Sequence, residues 1–104
     1  MTIQGGSVAF EDSETYAFGY QAVHEKAPNA SGVYTIYSPQ RWLYVGESDD
    51  IRQSLFGHLN EPPACMARRG PLSFSFEVVP AAQRVTRQQA LVEALVPACN
   101  PAVR

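Results

Sequence analysis

Two short runs constrain this chain more than anything else in it: Val33-Tyr34-Thr35-Ile36-Tyr37 and Trp42-Leu43-Tyr44-Val45-Gly46, separated by Ser38-Pro39-Gln40-Arg41. Both are filled with β-branched and aromatic side chains, which suit a pleated, half-buried surface. The connector carries Pro39, whose fixed φ presets a turn. The pattern predicts strands over 33–37 and 42–46, joined as an antiparallel hairpin.

The flanking segments follow from the same logic. Ser48 is placed to cap a helix, and Asp49 and Asp50 favour its positive N-terminal end. Ile51, Leu55, Phe56 and Leu59 then recur at helical spacing, predicting a helix over 48–59 that stops within 60–63. Residues 64–71 read as a loop. Residues 72–79 alternate Leu72, Phe74, Phe76, Val78 with Ser73, Ser75, Glu77, the period of a strand with one buried face. A last helix is predicted over 85–96, with Ala90, Leu91, Ala94 and Leu95 on its apolar side and Pro97 and Pro101 closing it. Upstream, residues 1–12 are a lead-in or an edge strand. Tyr16, Tyr20 and Val23 are spaced for a short helix within 13–26, ending before Pro28, because the residue ahead of a proline disfavours the helical region. Residues 27–32 read as a turn. The expected fold is α/β (α+β): a small three-stranded sheet flanked by helices, in the order strand, strand, helix, strand, helix, after a short N-terminal element.

A length of 104 residues suits one domain over 1–104, with 1–27 as the lead-in and 32–100 as the core. Hydrophobic residues make up 45% and charged residues 17%, which excludes a disordered chain. No apolar run approaches the roughly 20 residues that cross a bilayer. The first residues lack the basic and apolar regions of a secretion signal, so a cytoplasmic location is expected. Cys65 and Cys99 read as two free, buried thiols, since nothing in the sequence indicates an oxidising compartment. With only His24 and His58 to join them, no structural zinc site is expected. A net charge of −2 weighs against a dedicated nucleic-acid binder. The basic residues are seven arginines and Lys26. Arg68 with Arg69, and Arg84 with Arg87, are local concentrations. Each is a candidate phosphate contact or ordinary solvated surface.

Gly32-Val33-Tyr34 on the first strand and Tyr44-Val45-Gly46 on the second resemble the paired motif of GIY-YIG nucleases. Ser48-Asp49-Asp50-Ile51 is similar to the family's capped helix start. His58 falls where several branches carry a histidine, and Pro97-Ala98-Cys99-Asn100 resembles the closing P-x-x-N pattern. The resemblance covers 32–100.

This resemblance implies a metal-dependent phosphodiesterase site. In it, the two tyrosines generate or position the attacking water, a helix arginine meets the charge on the phosphoryl group, and a glutamate binds a divalent metal. Tyr34, Tyr44, Gly32 and Gly46 match the motif positions. The arginine is expected ten residues after the second tyrosine, where Ser54 stands. The glutamate is expected twelve residues before Asn100, where Gln88 stands. Both charged positions are neutral, and an amide oxygen is a poorer ligand than a carboxylate for a hard cation. Arg52 and Glu93, at helical angles of about 200° and 140° from Ser54 and Gln88, point elsewhere, and Gln89 has no charge. The expectation is a catalytically inactive nuclease-fold domain with no cofactor. Mg²⁺ or Mn²⁺ enters only if a rearranged site is active, with Glu47 as the first carboxylate to consider.

Each position also has a plainer role. Tyr34 and Tyr44 suit cross-strand packing, and His58 suits a surface. Asn100 suits tying down the C-terminal segment, and Trp42 and Phe56 suit packing. Three functions stay open: a module binding DNA or RNA through Arg52, Arg68, Arg69, Arg84 or Arg87; an active endonuclease with a rearranged site; or a protein-interaction domain. An arginine cluster beside the tyrosines favours the first. A carboxylate within metal reach of Tyr34 favours the second, and a broad exposed apolar patch the third.

Overall fold

A computed structural model describes residues 14–67 and 70–100. Arg68 and Arg69 lie outside the described residues, as does the whole 1–12 lead-in. The elements are β1 (Tyr16–Ala17), α1 (Tyr20–Lys26), β2 (Gly32–Tyr37), β3 (Trp42–Ser48), α2 (Ile51–Asn60), α3 (Ala64–Ala67), β4 (Ser73–Val78), a 3-10 turn (Ala81–Gln83) and α4 (Arg84–Leu95). The four strands form one sheet in the order β1-β4-β2-β3, with every neighbouring pair antiparallel.

The hairpin of β2 and β3 holds the register that its alternating pattern requires. Tyr34 lies opposite Gly46, Thr35 opposite Val45 and Ile36 opposite Tyr44. The ladder then shifts, so that Tyr37 faces Trp42 and Leu43 is the extra residue of a bulge. Alternation sends the two sets of side chains into two cores. One gathers Val23, Tyr34, Ile36, Leu43, Ile51, Leu55 and Phe74 beneath α1 and α2. The other gathers Val33, Val45, Val79, Leu91 and Leu95 beneath α4.

Four expectations change. The sheet has four strands rather than three, because Tyr16 belongs to a strand and not to a helix. Its spacing to Tyr20 looks helical, but Gly19 adopts an extended conformation, so the helix starts after it. Tyr16 instead pairs with Phe74 across the sheet edge, its ring 5.4 Å from that of Phe74. The cap of α2 is Asp50, whose carboxylate accepts from Gln53 N at 3.2 Å. Ser48 ends β3 and accepts from Asp50 N at 2.9 Å, acting one step upstream. The expected loop over 64–71 includes the single turn of α3. Finally, Cys65 and Cys99 are joined in a disulfide and are not free thiols. The turn of α3 sets their Cα atoms 5.7 Å apart, within bridging range, a proximity that a separation of 34 residues does not reveal.

The chain after α4 makes an unusual exit. Val96 caps the helix with φ 49° and ψ 61°, the left-handed conformation that a β-branched residue resists. The turn carries residues 98–100 onto the outer edge of β3. Ala98 N donates to Trp42 O at 3.1 Å and Cys99 N to Leu43 O at 2.7 Å.

Phe74 is fully buried and meets the rings of Tyr16, Phe18 and Phe76. Phe74→Ala is expected to lower unfolding free energy by about 3–5 kcal/mol, as for a large core aromatic. Chemical denaturation followed by circular dichroism checks this; a loss under about 1 kcal/mol would place Phe74 outside the core.

Candidate functional site

Gly46 explains why a glycine follows the second tyrosine. It lies opposite Tyr34 in the ladder, and the Tyr34 ring lies across it. A Cβ at position 46 would overlap ring carbons of Tyr34 and sit 2.5 Å from its hydroxyl. Gly32 answers a different crowding: a Cβ there would overlap the backbone carbonyl oxygen of Glu77 on β4. One glycine lets a side chain lie down on the hairpin, and the other lets two strands close up.

Laid over Gly46, the Tyr34 phenol reaches α2, where its oxygen is 2.8 Å from Nε2 of His58. The Tyr44 ring completes a triangle, with centroids 6.1 Å from Tyr34 and 4.9 Å, edge-on, from His58. Burial is the main reason the Tyr34 phenol is pushed well above the ordinary tyrosine value, and neighbouring Tyr44 adds to it. Burial also lowers His58 below its usual 6.5. The pair is therefore a protonated phenol beside a neutral imidazole, which can share one hydrogen bond without charge.

Ser54, one turn earlier on α2, lies close enough to the Tyr34 phenol to favour its ionised form slightly. Its hydroxyl also donates to Ser48 Oγ at 2.6 Å. Ser54, His58, Tyr34 and Tyr44 thus meet on one face of the sheet.

Gln88 comes from α4, on the other face, and reaches the outer edge of β3. Its Nε2 donates to Val45 O at 3.2 Å. Asn100 binds the same residue in two places: Oδ1 accepts from Val45 N at 2.8 Å and Nδ2 donates to Val45 O at 2.9 Å. The backbone edge that β3 would otherwise leave unpaired is satisfied by two side-chain amides. The two groups, Tyr34–Tyr44–His58–Ser54 and Gln88–Asn100, adjoin at the consecutive residues Tyr44 and Val45.

The arginines go elsewhere. Arg52 donates from Nε to Ala27 O at 2.8 Å, tying α2 to the end of α1. Arg84 pairs with Glu47 at 2.8 Å and also donates to Ser31 Oγ. Arg87 grips Glu77 through two bonds, at 2.6 and 3.2 Å. Glu93 is exposed on α4. Among the described residues, no three His, Cys, Asp or Glu side chains are grouped so as to hold a metal ion. No described helix is long and apolar enough to cross a membrane.

Two features escaped the sequence reading. The Glu47–Arg84 pair was legible in principle, since alternation along β3 turns Glu47 to the face opposite Gly46, where α4 packs. The hydroxyl relay from Ser54 to Ser48 had no such signal, because it depends on how α2 leaves the strand.

No protein-family model matches the sequence, and no curated protein matches it. Solved structures do match. The GIY-YIG N-terminal endonuclease domain of UvrC from Thermotoga maritima, bound to magnesium as its catalytic divalent cation, superposes with a TM-score of 0.63 at 19% identity, covering 78% of this chain and 98% of that one. A tyrosine-to-phenylalanine variant of the same domain gives 0.63 at 19% over 79% and 98%, and an asparagine-to-alanine variant 0.61 at 21% over 81% and 98%. The described chain has the fold of a GIY-YIG endonuclease domain.

Gly46→Ala is expected to cost about 1–3 kcal/mol, the usual penalty of overpacking, and to break the Tyr34–His58 bond. Denaturation together with the His58 imidazole NMR shift checks both; unchanged stability with the bond intact would mean that the ring does not lie on the backbone.

The lowered His58 value sets a sign for pH dependence. The unfolded chain binds the proton more readily, so stability rises with pH across this range. Its contribution is complete above 6.5 and is lost as pH falls through the folded value. The His58 NMR titration midpoint is expected below 6.5, and His58→Gln is expected to flatten the stability profile beneath that pH. A midpoint above 6.5 would contradict burial as the cause.

Proposed function

We propose that this domain is a non-cleaving binding module built on the GIY-YIG nuclease fold, with nucleic acid as its ligand. The observation that carries the reading is the neutral, internally satisfied state of both positions where the resemblance places charge. Ser54 donates to Ser48, and Gln88 donates to Val45 O. Neither position supplies the positive charge or the carboxylate that phosphodiester cleavage asks for. The UvrC domain carries its catalytic divalent cation. Here the neutral Ser54 and Gln88 do not suit such an ion. Glu47, a carboxylate whose field reaches the Tyr34 phenol, is engaged by Arg84, which weighs against a rearranged active site.

The site keeps one feature that binding needs: the part-exposed Tyr44 ring, on which a base can stack, with the His58 imidazole edge-on to it. A second reading, a protein partner, draws on one specific observation. Arg84 and Arg87 are both held by carboxylates and are not turned toward the tyrosines. The net charge of −2 agrees with it. A cytoplasmic location is part of the same proposal.

The test is cleavage of branched, single-stranded and duplex DNA by the purified chain with Mg²⁺ or Mn²⁺. No metal-dependent product above background is expected, because loss of one electrostatic stabiliser alone costs about 100- to 1000-fold in rate. Ser54→Arg combined with Gln88→Glu is expected to raise cleavage over wild type. Robust cleavage by the wild type, abolished by Tyr34→Phe or a chelator, would overturn the reading. Fluorescence anisotropy on the same DNAs without metal measures binding, and its absence even at low salt would favour the protein partner.

A further inference from the structure

We infer that the Cys65–Cys99 disulfide is a redox-responsive modification site that clamps the C-terminal segment onto the outer edge of β3, beside the tyrosine pair. This goes beyond the binding proposal and does not depend on it.

The disulfide joins two short pieces of chain that otherwise meet through Met66, Ala98 and Cys99 at the margin of the α2-side core. Cys65 sits on α3, a four-residue turn, and is exposed. Cys99 is half-buried in the segment that leaves α4 through left-handed Val96. Four hydrogen bonds tie residues 98–100 to β3: Ala98 N on Trp42 O, Cys99 N on Leu43 O and the Asn100 amide on both backbone groups of Val45. Every one of these bonds lies on the open side of an edge strand, where water can replace the partner. Opposing them is the cost of a β-branched residue in the left-handed region, relieved if the segment swings away. A cross-link shifts such a balance by making closure intramolecular. Its removal leaves four edge hydrogen bonds and the marginal packing of Ala98 and Cys99 against a strained hinge.

The site takes a dithiol reductant. A thiolate of the reductant attacks Sγ of Cys65, the more exposed of the two residues, and forms a mixed disulfide, expelling the thiolate of Cys99, which takes up a proton. The second thiol of the reductant resolves the mixed disulfide, loses its proton and leaves Cys65 as a thiol. The reductant departs as its own disulfide. Two electrons and two protons move to the protein. Opening then exposes the Val45 N–H, one residue from Tyr44, while the Val45 carbonyl keeps its bond from Gln88.

The experiment is amide hydrogen exchange by NMR on the full chain, oxidised and after treatment with dithiothreitol. Alkylation and intact mass report the thiol state. The amides of Val45, Ala98 and Cys99 are expected to lose at least ~10-fold in protection on reduction, while β2 and β4 amides change by less than about 2-fold, as in a local opening. Cys65→Ser, without reductant, is expected to reproduce the reduced pattern. Equal protection of Val45 in both states would overturn the inference. So would a uniform loss across the sheet, which would make the bridge a global staple, and so would two alkylatable thiols in the air-oxidised protein.

Discussion

The Tyr34 ring lying on Gly46 is the contact on which the rest of this site depends. It is possible only because Gly46 has no side chain, and only in the register that sets those two residues opposite each other. A slip of one residue in the hairpin would send Tyr34 to the α4 face and Val33 or Thr35 to the α2 face. Everything downstream follows from the ring's position: its hydroxyl reaches His58, its neighbour Tyr44 closes the triangle, and Ser54 falls beside the phenol. The same burial that packs the ring also keeps it protonated, so packing and chemistry have one cause.

The two faces of the sheet divide the work. The α2 face builds the aromatic and hydroxyl cluster. The α4 face is stitched by Glu47–Arg84 and Glu77–Arg87, which join strands β3 and β4 to one helix. Half-exposed pairs of this kind contribute little stability each. Their larger effect is on orientation, because they fix where α4 sits and so where Gln88 meets the edge of β3. Arginines drawn into these pairs are less available to phosphates, and the tyrosine cluster is left uncharged.

Much of this was legible in the sequence, and the reasons are physical. β-branched and aromatic content exposed β2 and β3, and period-two alternation exposed β4 and apolar spacing α2 and α4, because burial of one face leaves that mark on any chain. The glycine–tyrosine pairs were legible through the family resemblance alone, and the close approach that excludes a side chain at Gly46 comes from the strand register. What escaped was whatever depends on pairing at a distance. Tyr16 was assigned to a helix because spacing to Tyr20 alone does not weigh the extended Gly19 between them, nor the Phe74 ring that a strand would find. The pairing of Cys65 with Cys99 leaves no mark in the sequence, because the turn of α3 that brings them together has too few residues to show a pattern. Ser48 and Asp50 both suit a cap, and only the path of the chain decides between them.

The strand order has a consequence for how such a domain can be joined to others. β1 borders one side of the sheet, while residues 98–100 run along the far side of β3. Chain entering at residue 14 and chain leaving at residue 100 are therefore separated by the sheet's full width, about 15–20 Å at ordinary strand spacing. A tether of given length therefore reaches the tyrosines more readily from residue 100 than from residue 14.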